Sequence, residues 1–384
     1  MNDKEFAELR RRFKPEKSAI TELFGCYVNE KGEILSQFRQ GLGTMLEADC
    51  QALLTLLKKT LSGGAGKNLV DVPFSTRQVM EGEEHKLLMT LKNSGLKDEA
   101  AVRALYEKIA GAVHMEGNYM ILLAADRYDV PAYGRDGARQ EDGQAVYSYF
   151  LCSVCPIKLT KPALRFDSPE GRFCSTSADL VVGAPEVGFL FPAFDGRGTN
   201  LYAAELYTRN AAKDQAEFVE ALFRTEAPMA AETQKETFRT LLGETVGEDC
   251  SIEVVKGVHT QLCSLIEEHK ASREPETLTV SKATVQGMLA TCGVPEARME
   301  AFSAEFDKEF GENAEVCPKN LVDQKKFHLE TPDVSIQVSP ERSDLVETRI
   351  LGGVKYILIR AEEGVSLNGV NIAFDDGKRN GLAN

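Results

Sequence analysis

Apolar positions change their period several times along this chain. Residues 3–12 predict a short helix that Pro15 stops. Ile20, Phe24, Cys26 and Val28 share one parity, residues 29–32 turn, and Ile34 and Phe38 resume it, which predicts a hairpin with one buried face. Leu46, Cys50, Leu53, Leu57 and Leu61 then recur at helical spacing up to a stop at Gly63 and Gly64. Ser75 and Gln78 have capping-box spacing for a helix running to about Leu91, and residues 98–113 predict another.

Further on, the period shortens to that of strands. Segments 119–128 and 146–157 read as strands joined by a polar, Gly/Asp-rich loop at 133–144, and 187–194 and 201–208 as further strands. Prolines at 131, 156, 162, 169, 185 and 192 suit edges and turns, and no alternation of strand and helix supports a Rossmann-like sheet. From 213 to 311 the helical period returns. Ile252, Val255, His259, Leu262, Ile266 and His269 form one stripe, and Pro295 is placed at N1 of a helix striped by Met299, Phe302, Phe306 and Phe310. Beyond Pro318 strands return: Val334, Ile336 and Val338 alternate with polar residues. Gly352-Gly353 links 345–351 to 354–360 as a two-residue hairpin, and Asn368-Gly369 signals another tight turn.

The expected fold class is α+β. It comprises a hairpin with helices (1–115), an antiparallel sheet region (116–212), a helical segment (213–324), a small C-terminal β unit (325–374) and a flexible tail (375–384). Strands in 119–208 and 333–372 are candidates for one shared sheet.

Composition narrows the class. With 43% hydrophobic and 27% charged residues the chain is too apolar for disorder, and 9 cysteines in 384 residues are too few for a disulfide scaffold. No apolar run approaches the roughly 18 residues of a membrane helix, and the charged first 20 residues leave no secretory core, so a soluble cytoplasmic protein without a membrane partner is expected. The net charge of -14 is uneven: residues 213–323 hold 22 acids against 11 bases. That stretch repels phosphate backbones and argues against DNA, while the rest of the chain is close to balance.

Candidate chemistry is sparse. Cys152 and Cys155 make the one C-x-x-C, but an offset of three on a strand sends them to opposite faces, which favours structural thiols over a metal or redox pair. The five histidines lack metal spacing, and His259 reads as a satisfied core histidine. No cofactor and no metal is implied. The stretch 61–68 invites a phosphate-loop reading, yet Leu61 takes the first glycine position, Asn68 the hydroxyl position, and a helix precedes it. It reads as a glycine helix stop, from which Lys67 can still reach an anion.

Two segments remain as binding candidates. Arg11, Arg12 and Lys14 surround Phe13 in the densest basic run, a pattern that holds RNA phosphates with a base stacked on the ring; the alternative is pairing with Glu5, Glu8 and Glu16. Residues 188–200 run from an apolar strand into a loop offering Asp195 and Arg197 between glycines; the alternative is a turn in which Arg197 pairs with a neighbouring acid. Three readings follow. The first is a non-catalytic binding protein for a protein or RNA partner. The second is an enzyme acting on a phosphate-bearing or other anionic small molecule, with Lys67 and Arg197 as clamps and Asp195 as acid or base. The third is an oligomeric scaffold built on the aromatic helix 295–310.

Several motifs together resemble one family. They are 11–15 (Arg-Arg-Phe-Lys-Pro), 25–29 (Gly-Cys-Tyr-Val-Asn), 66–69 (Gly-Lys-Asn-Leu), 188–194 (Gly-Phe-Leu-Phe-Pro-Ala-Phe), 234–238 (Gln-Lys-Glu-Thr-Phe), 331–334 (Thr-Pro-Asp-Val) and 344–349 (Asp-Leu-Val-Glu-Thr-Arg). They resemble the bacterial family catalogued as domain of unknown function 4317, over about residues 4–372. The resemblance implies a bacterial, cytoplasmic, single-family architecture and brings no ligand or catalytic residue with it.

Overall fold

The architecture is α+β, antiparallel sheets flanked by helices, in a computed structural model that describes residues 1–133, 139–213, 215–272, 278–324, 326–361, 364–367 and 369–372. The tail from 375, Asn368 and the centre of the 133–144 loop lie outside the described residues. Contacts divide the chain into two units, one holding Met1–Glu236 and the other Thr237–Ser272 and the chain from Leu278.

The first unit has six helices of its own among the described residues: α1 (Asp3–Arg10), α2 (Glu47–Lys58), α3 (Thr76–Glu81), α4 (Glu83–Ser94), α5 (Glu99–Ala112) and α6 (Ala216–Phe223). Its strands are β1 (Glu22–Val28), β2 (Ile34–Gly41), β3 (Leu69–Pro73), β4 (Tyr119–Tyr133), β5 (Arg139–Leu159), β6 (Ala163–Asp167), β7 (Arg172–Thr176), β8 (Leu180–Val182), β9 (Val187–Phe191), β10 (Ala193–Asp195), β11 (Gly198–Asn200) and β12 (Ala203–Thr208). Eight of them form an antiparallel sheet in the order β2-β1-β4-β5-β9-β12-β3, with β8 on the end of β5. Strands from 22–73 and 119–208 therefore share one sheet.

Alternation explains the layers. Ile121, Leu123, Cys152, Val154, Phe189 and Phe191 face one side and pack with α4, α5 and α6. Leu122, Ala124, Leu151, Cys155 and Leu190 face the other and pack with Phe6 and Leu9 of α1 and Leu54 and Leu57 of α2. A sheet covered on both faces has apolar residues at both parities, so β1 is buried almost throughout rather than on one face as its parity alone predicts. Its partner β2 is an edge and is exposed, Phe38 included. The Phe38 ring lies over Gly25, where a Cβ would stand 2.1 Å from it, so this close approach requires glycine.

One helix expectation and one loop expectation change. The capping box of Ser75 and Gln78 is present, but the helix breaks at Gly82, whose ψ of 129° is extended, and α4 restarts after it. The 133–144 loop is shorter than expected, because β4 continues to Tyr133 and β5 begins at Arg139.

α7 (Ala231–Val246) spans the border of the units, and the second unit adds α8 (Ile252–Ser272), α9 (Lys282–Thr291), α10 (Glu296–Phe310) and α11 (Pro318–Leu321). Its strands pair locally as β13 (Val280–Ser281) with β14 (Glu315–Val316), β15 (Phe327–Thr331) with β16 (Val334–Val338), β17 (Val346–Leu351) with β18 (Val354–Ile359), and β19 (Val365–Leu367) with β20 (Val370–Ile372). The 333–372 strands thus form their own hairpins instead of joining the large sheet. The buried stripe of α8 is Val254, Val258, Leu262 and Ile266, a strict step of four, which leaves Val255 exposed and His259 half-buried. Pro295 sits at the N-cap, one position before N1. Phe302 and Phe306 are buried in the unit's own core, so the aromatic helix spends this stripe on folding.

Candidate functional site

The site forms where α1 lies across the sheet. Asn2 caps the helix: its side chain accepts from the backbone of Lys4 and Glu5, and Glu5 Oε2 accepts from the Asn2 N–H at 2.9 Å. Phe6 and Leu9, with Phe13 beyond the helix end, are buried against the sheet, so Phe13 is not available to stack on a base. Glu5, Glu8 and Arg12 share a second stripe by their spacing of three and four.

Each member of that stripe meets a group from elsewhere in the fold. Arg12 grips Asp126 of β4 through Nε at 2.9 Å and Nη2 at 3.1 Å, and its guanidinium lies 4.5 Å from the Tyr128 ring centre. Asp126 also accepts from the Ala19 N–H at 2.9 Å and the Tyr149 hydroxyl at 2.8 Å. Burial, reinforced by Asp126, pushes the Tyr149 phenol well above its ordinary pKa, so it stays a donor. Glu8 receives Arg197 Nε at 3.1 Å, Arg197 Nη2 at 2.9 Å and the Tyr128 hydroxyl at 2.6 Å. Burial would raise the Glu8 carboxyl, but these bonds outweigh it and hold it below the usual carboxylate range.

Arg197 is held in an unusual backbone state. β10 and β11 close through a two-residue turn in which Gly196 and Arg197 have φ of 55° and 58°. Such a turn favours glycine or asparagine at both places, and an arginine there carries strain of about 1 kcal/mol. The Glu5 carboxylate accepts the Arg197 N–H at 3.2 Å and Glu8 takes its side chain, so α1 fixes the turn from both ends.

Behind the helix start, the Met1 α-amino group stands 2.7 Å from Asp71 and 3.0 Å from Glu205. Burial works against its charge, yet the two carboxyl groups outweigh it and its pKa is pushed up to about 10. Burial, then the neighbouring Asp71, drives Glu205 well above its usual value, while Asp71 moves down. The two carboxyl groups of the pair thus shift apart, Glu205 upward and Asp71 downward. Together these elements enclose a cleft of about 770 Å³, lined by Lys4, Glu5, Glu8, Asp71, Asp195 and Arg197 among others.

The residues singled out from the sequence are divided by the fold. Asp195 and Arg197 both line the cleft, and Asn200 Nδ2 lies 3.4 Å from Asp195. Arg197 pairs with Glu8 and Arg12 with Asp126, while Arg11 and Lys14 are exposed just past α1. Lys67 is not among the cleft-lining residues; its ammonium is 3.8 Å from Glu232. Arg10 donates to the carbonyls of Leu61 and Gly63, at the end of the helical run that precedes the glycine loop.

Elsewhere, Cys152 and Cys155 lie in opposite cores, and burial raises both thiols, Cys155 to about 12. His259 Nε2 is 3.0 Å from the Asp323 carbonyl. Among the described residues no group of three or more His, Cys, Asp or Glu is placed to hold a metal ion, and no helix is long and apolar enough to cross a membrane.

Sequence reasoning missed Asp71, Asp126 and Glu205, and it named Glu5 and Glu8 only as partners of the basic run, whereas Glu8 pairs with Arg197. A signal existed for two of them: Asp126 shares parity with the buried Leu122 and Ala124, and Glu205 with Ala203 and Tyr207, so each is a carboxylate aimed at a core. Neither the curated proteins nor the solved structures contain a match to the chain. The family model described as "Domain of unknown function (DUF4317)" matches residues 1–370, and the chain belongs to that family.

Proposed function

We propose that this is a non-catalytic binding protein of the bacterial cytoplasm whose partner is a protein, and that a basic segment of the partner enters the cleft at Asp195. The observation that carries this reading is the charge left over after internal pairing. Glu8 is spent on Arg197 and Asp71 on the α-amino group; Glu5, which accepts from two backbone N–H groups, and the exposed Asp195 then stand against Lys4, which leaves the cleft one negative charge in excess. A cationic side chain complements such a rim, and a phosphate backbone does not. In this reading Asp195 meets the partner and Arg197 shapes the loop. Arg12 keeps α1 in place, and Arg11, Lys14 and Lys67, cations themselves, face acidic groups of the partner outside the basic segment.

An RNA partner fits less well because Arg12 is committed to Asp126 and Phe13 to the core. The enzyme alternative needs Lys67 beside Arg197 in one pocket, and Lys67 stands by Glu232 instead. Affinity capture from native extract, with and without nuclease, tests the reading. The same proteins should be recovered after nuclease and lost with Asp195→Lys. Capture that depends on nucleic acid, or that ignores the substitution, would refute it.

A further inference from the structure

α8 carries a second stripe beside its buried one. His259, Cys263 and Glu267 follow one another at steps of four, so their side chains are neighbours along the helix. The first two are half-buried and Glu267 is exposed. Cys263 Sγ stands 3.7 Å from His259 Nδ1, and His259 Nε2 stands 3.0 Å from the Asp323 carbonyl oxygen. A carbonyl oxygen only accepts, so the ring proton is on Nε2 and Nδ1 keeps its lone pair. The thiol therefore donates to Nδ1. Phe327 of β15 packs edge to face against the imidazole, 5.6 Å between ring centres, and limits its rotation. All of these residues belong to the second unit.

A thiol, a base within its reach and a third group that orients the base are what turn a cysteine into a nucleophile. Burial, then the charges of Glu267 and Asp323, raises the Cys263 thiol above its ordinary range, so it rests as S–H rather than as a thiolate. The same two carboxylates favour a proton that moves onto His259. Reactivity thus depends on the imidazole taking the proton as the sulfur attacks. The acids also set the preferred reagent, because they draw a cationic electrophile in and repel an anionic one.

We propose that Cys263 is a nucleophilic thiol, activated by His259, that forms mixed disulfides with small disulfides carrying amine groups. Its sulfur bonds to one sulfur of the reagent, and the S–S bond of the reagent breaks. The thiol proton passes to His259 Nδ1 and on to the leaving sulfur, which departs as a free thiol. Cys263 is oxidised, the departing sulfur is reduced, and no further oxidant is required.

Incubation of the full chain with cystamine at neutral pH, followed by peptide mass mapping, reads the rate at each cysteine. Cys174 is the internal reference: it is half-buried too, and its Sγ donates to the Arg165 carbonyl at 3.6 Å. Cys263 should acquire the adduct, and His259→Gln should slow it about tenfold or more while leaving Cys174 unchanged. If that variant loses its circular dichroism, the wild-type pH profile decides instead. A thiolate-limited reaction slows about tenfold per pH unit below the thiol pKa, and Cys263 should slow clearly less on approach to neutral pH. Dithiodiglycolate, an anionic disulfide, tests the choice of reagent. The ratio of cystamine to dithiodiglycolate rates should be larger at Cys263 than at Cys174, and Glu267→Gln should reduce it. A Cys263 that stays unmodified while Cys174 reacts overturns the proposal, as does a full thiolate slope or a rate indifferent to His259→Gln. Equal ratios at the two cysteines overturn the preference for amines, as does a ratio indifferent to Glu267→Gln.

Discussion

The α1 cleft and the β17–β18 hairpin both bring short strands to solvent, and they meet the same physical problem differently. In the cleft, β10 and β11 are tied to a helix: backbone, guanidinium and carboxylates are matched inside one chain, down to the N–H of Arg197. In the hairpin, local pairing stops at two strands and apolar side chains remain outside. The difference teaches where to look for partners. A region whose arginines are already matched can recognise a ligand only through the charges left at its rim, whereas the hairpin offers unused backbone and apolar surface.

The largest test of that contrast compares two apolar truncations. Phe189, packed among Phe150, Phe218 and Phe223, is fully buried, and Phe189→Ala should cost about 4 kcal/mol in chemical denaturation. Ile350→Ser should change stability by no more than about 0.5 kcal/mol, because Ile350 is 69% exposed. An equal loss at both positions would mean that the hairpin is as closed as the sheet.

Next in size is the clamp itself. Arg12→Ala strands the Asp126 carboxylate in the core and should cost about 3 kcal/mol. Arg12→Lys retains the charge without the two-point grip, so its melting midpoint should fall between those of wild type and Ala. A loss no larger than that of an exposed ion pair, under about 1 kcal/mol, would return Arg12 to the pool of cations free for a partner.

A smaller effect separates strain from pairing at Arg197. Arg197→Ala loses the Glu8 bonds and keeps a Cβ at positive φ, so about 1–2 kcal/mol should be lost. Arg197→Gly loses the same bonds but relieves the backbone, so it should be the more stable of the two variants by about 1 kcal/mol. The reverse order would mean that the turn is not strained.

The smallest effect is a slope with pH. Because the folded Glu8 carboxyl sits below its ordinary value, the stability it contributes is present above about pH 4.3. It is lost as pH falls through the lower folded value. Acid unfolding of Glu8→Gln should lack that part of the slope, and an unchanged slope would place the titration elsewhere.

How much of this was legible in sequence differs between backbone and site. Alternation in 119–128 and 146–157 places both faces of the central strands, and the C-x-x-C offset correctly separates Cys152 from Cys155. β3, β6, β7 and β8 escaped because short strands without a clear period look like loops, and β3 matters only as the outer partner of β12, over a hundred residues away. Arg197 was singled out by its glycine-flanked loop, but its partner Glu8 lies 189 residues earlier, a pairing that no local pattern encodes. The basic run 10–17 looked like a phosphate-binding segment because its acceptors, the Asp126 carboxylate and the backbone carbonyls of 61 and 63, come from elsewhere in the fold.

In the proposed reading the rim of the cleft selects cations. Titrating labelled oligolysine and labelled single-stranded RNA of equal length, followed by fluorescence anisotropy at low and moderate salt, tests it most directly. Oligolysine should bind in a salt-dependent way, lose that binding with Asp195→Lys, and outcompete RNA. Tighter binding of RNA than of oligolysine, unaffected at Asp195, would contradict the account.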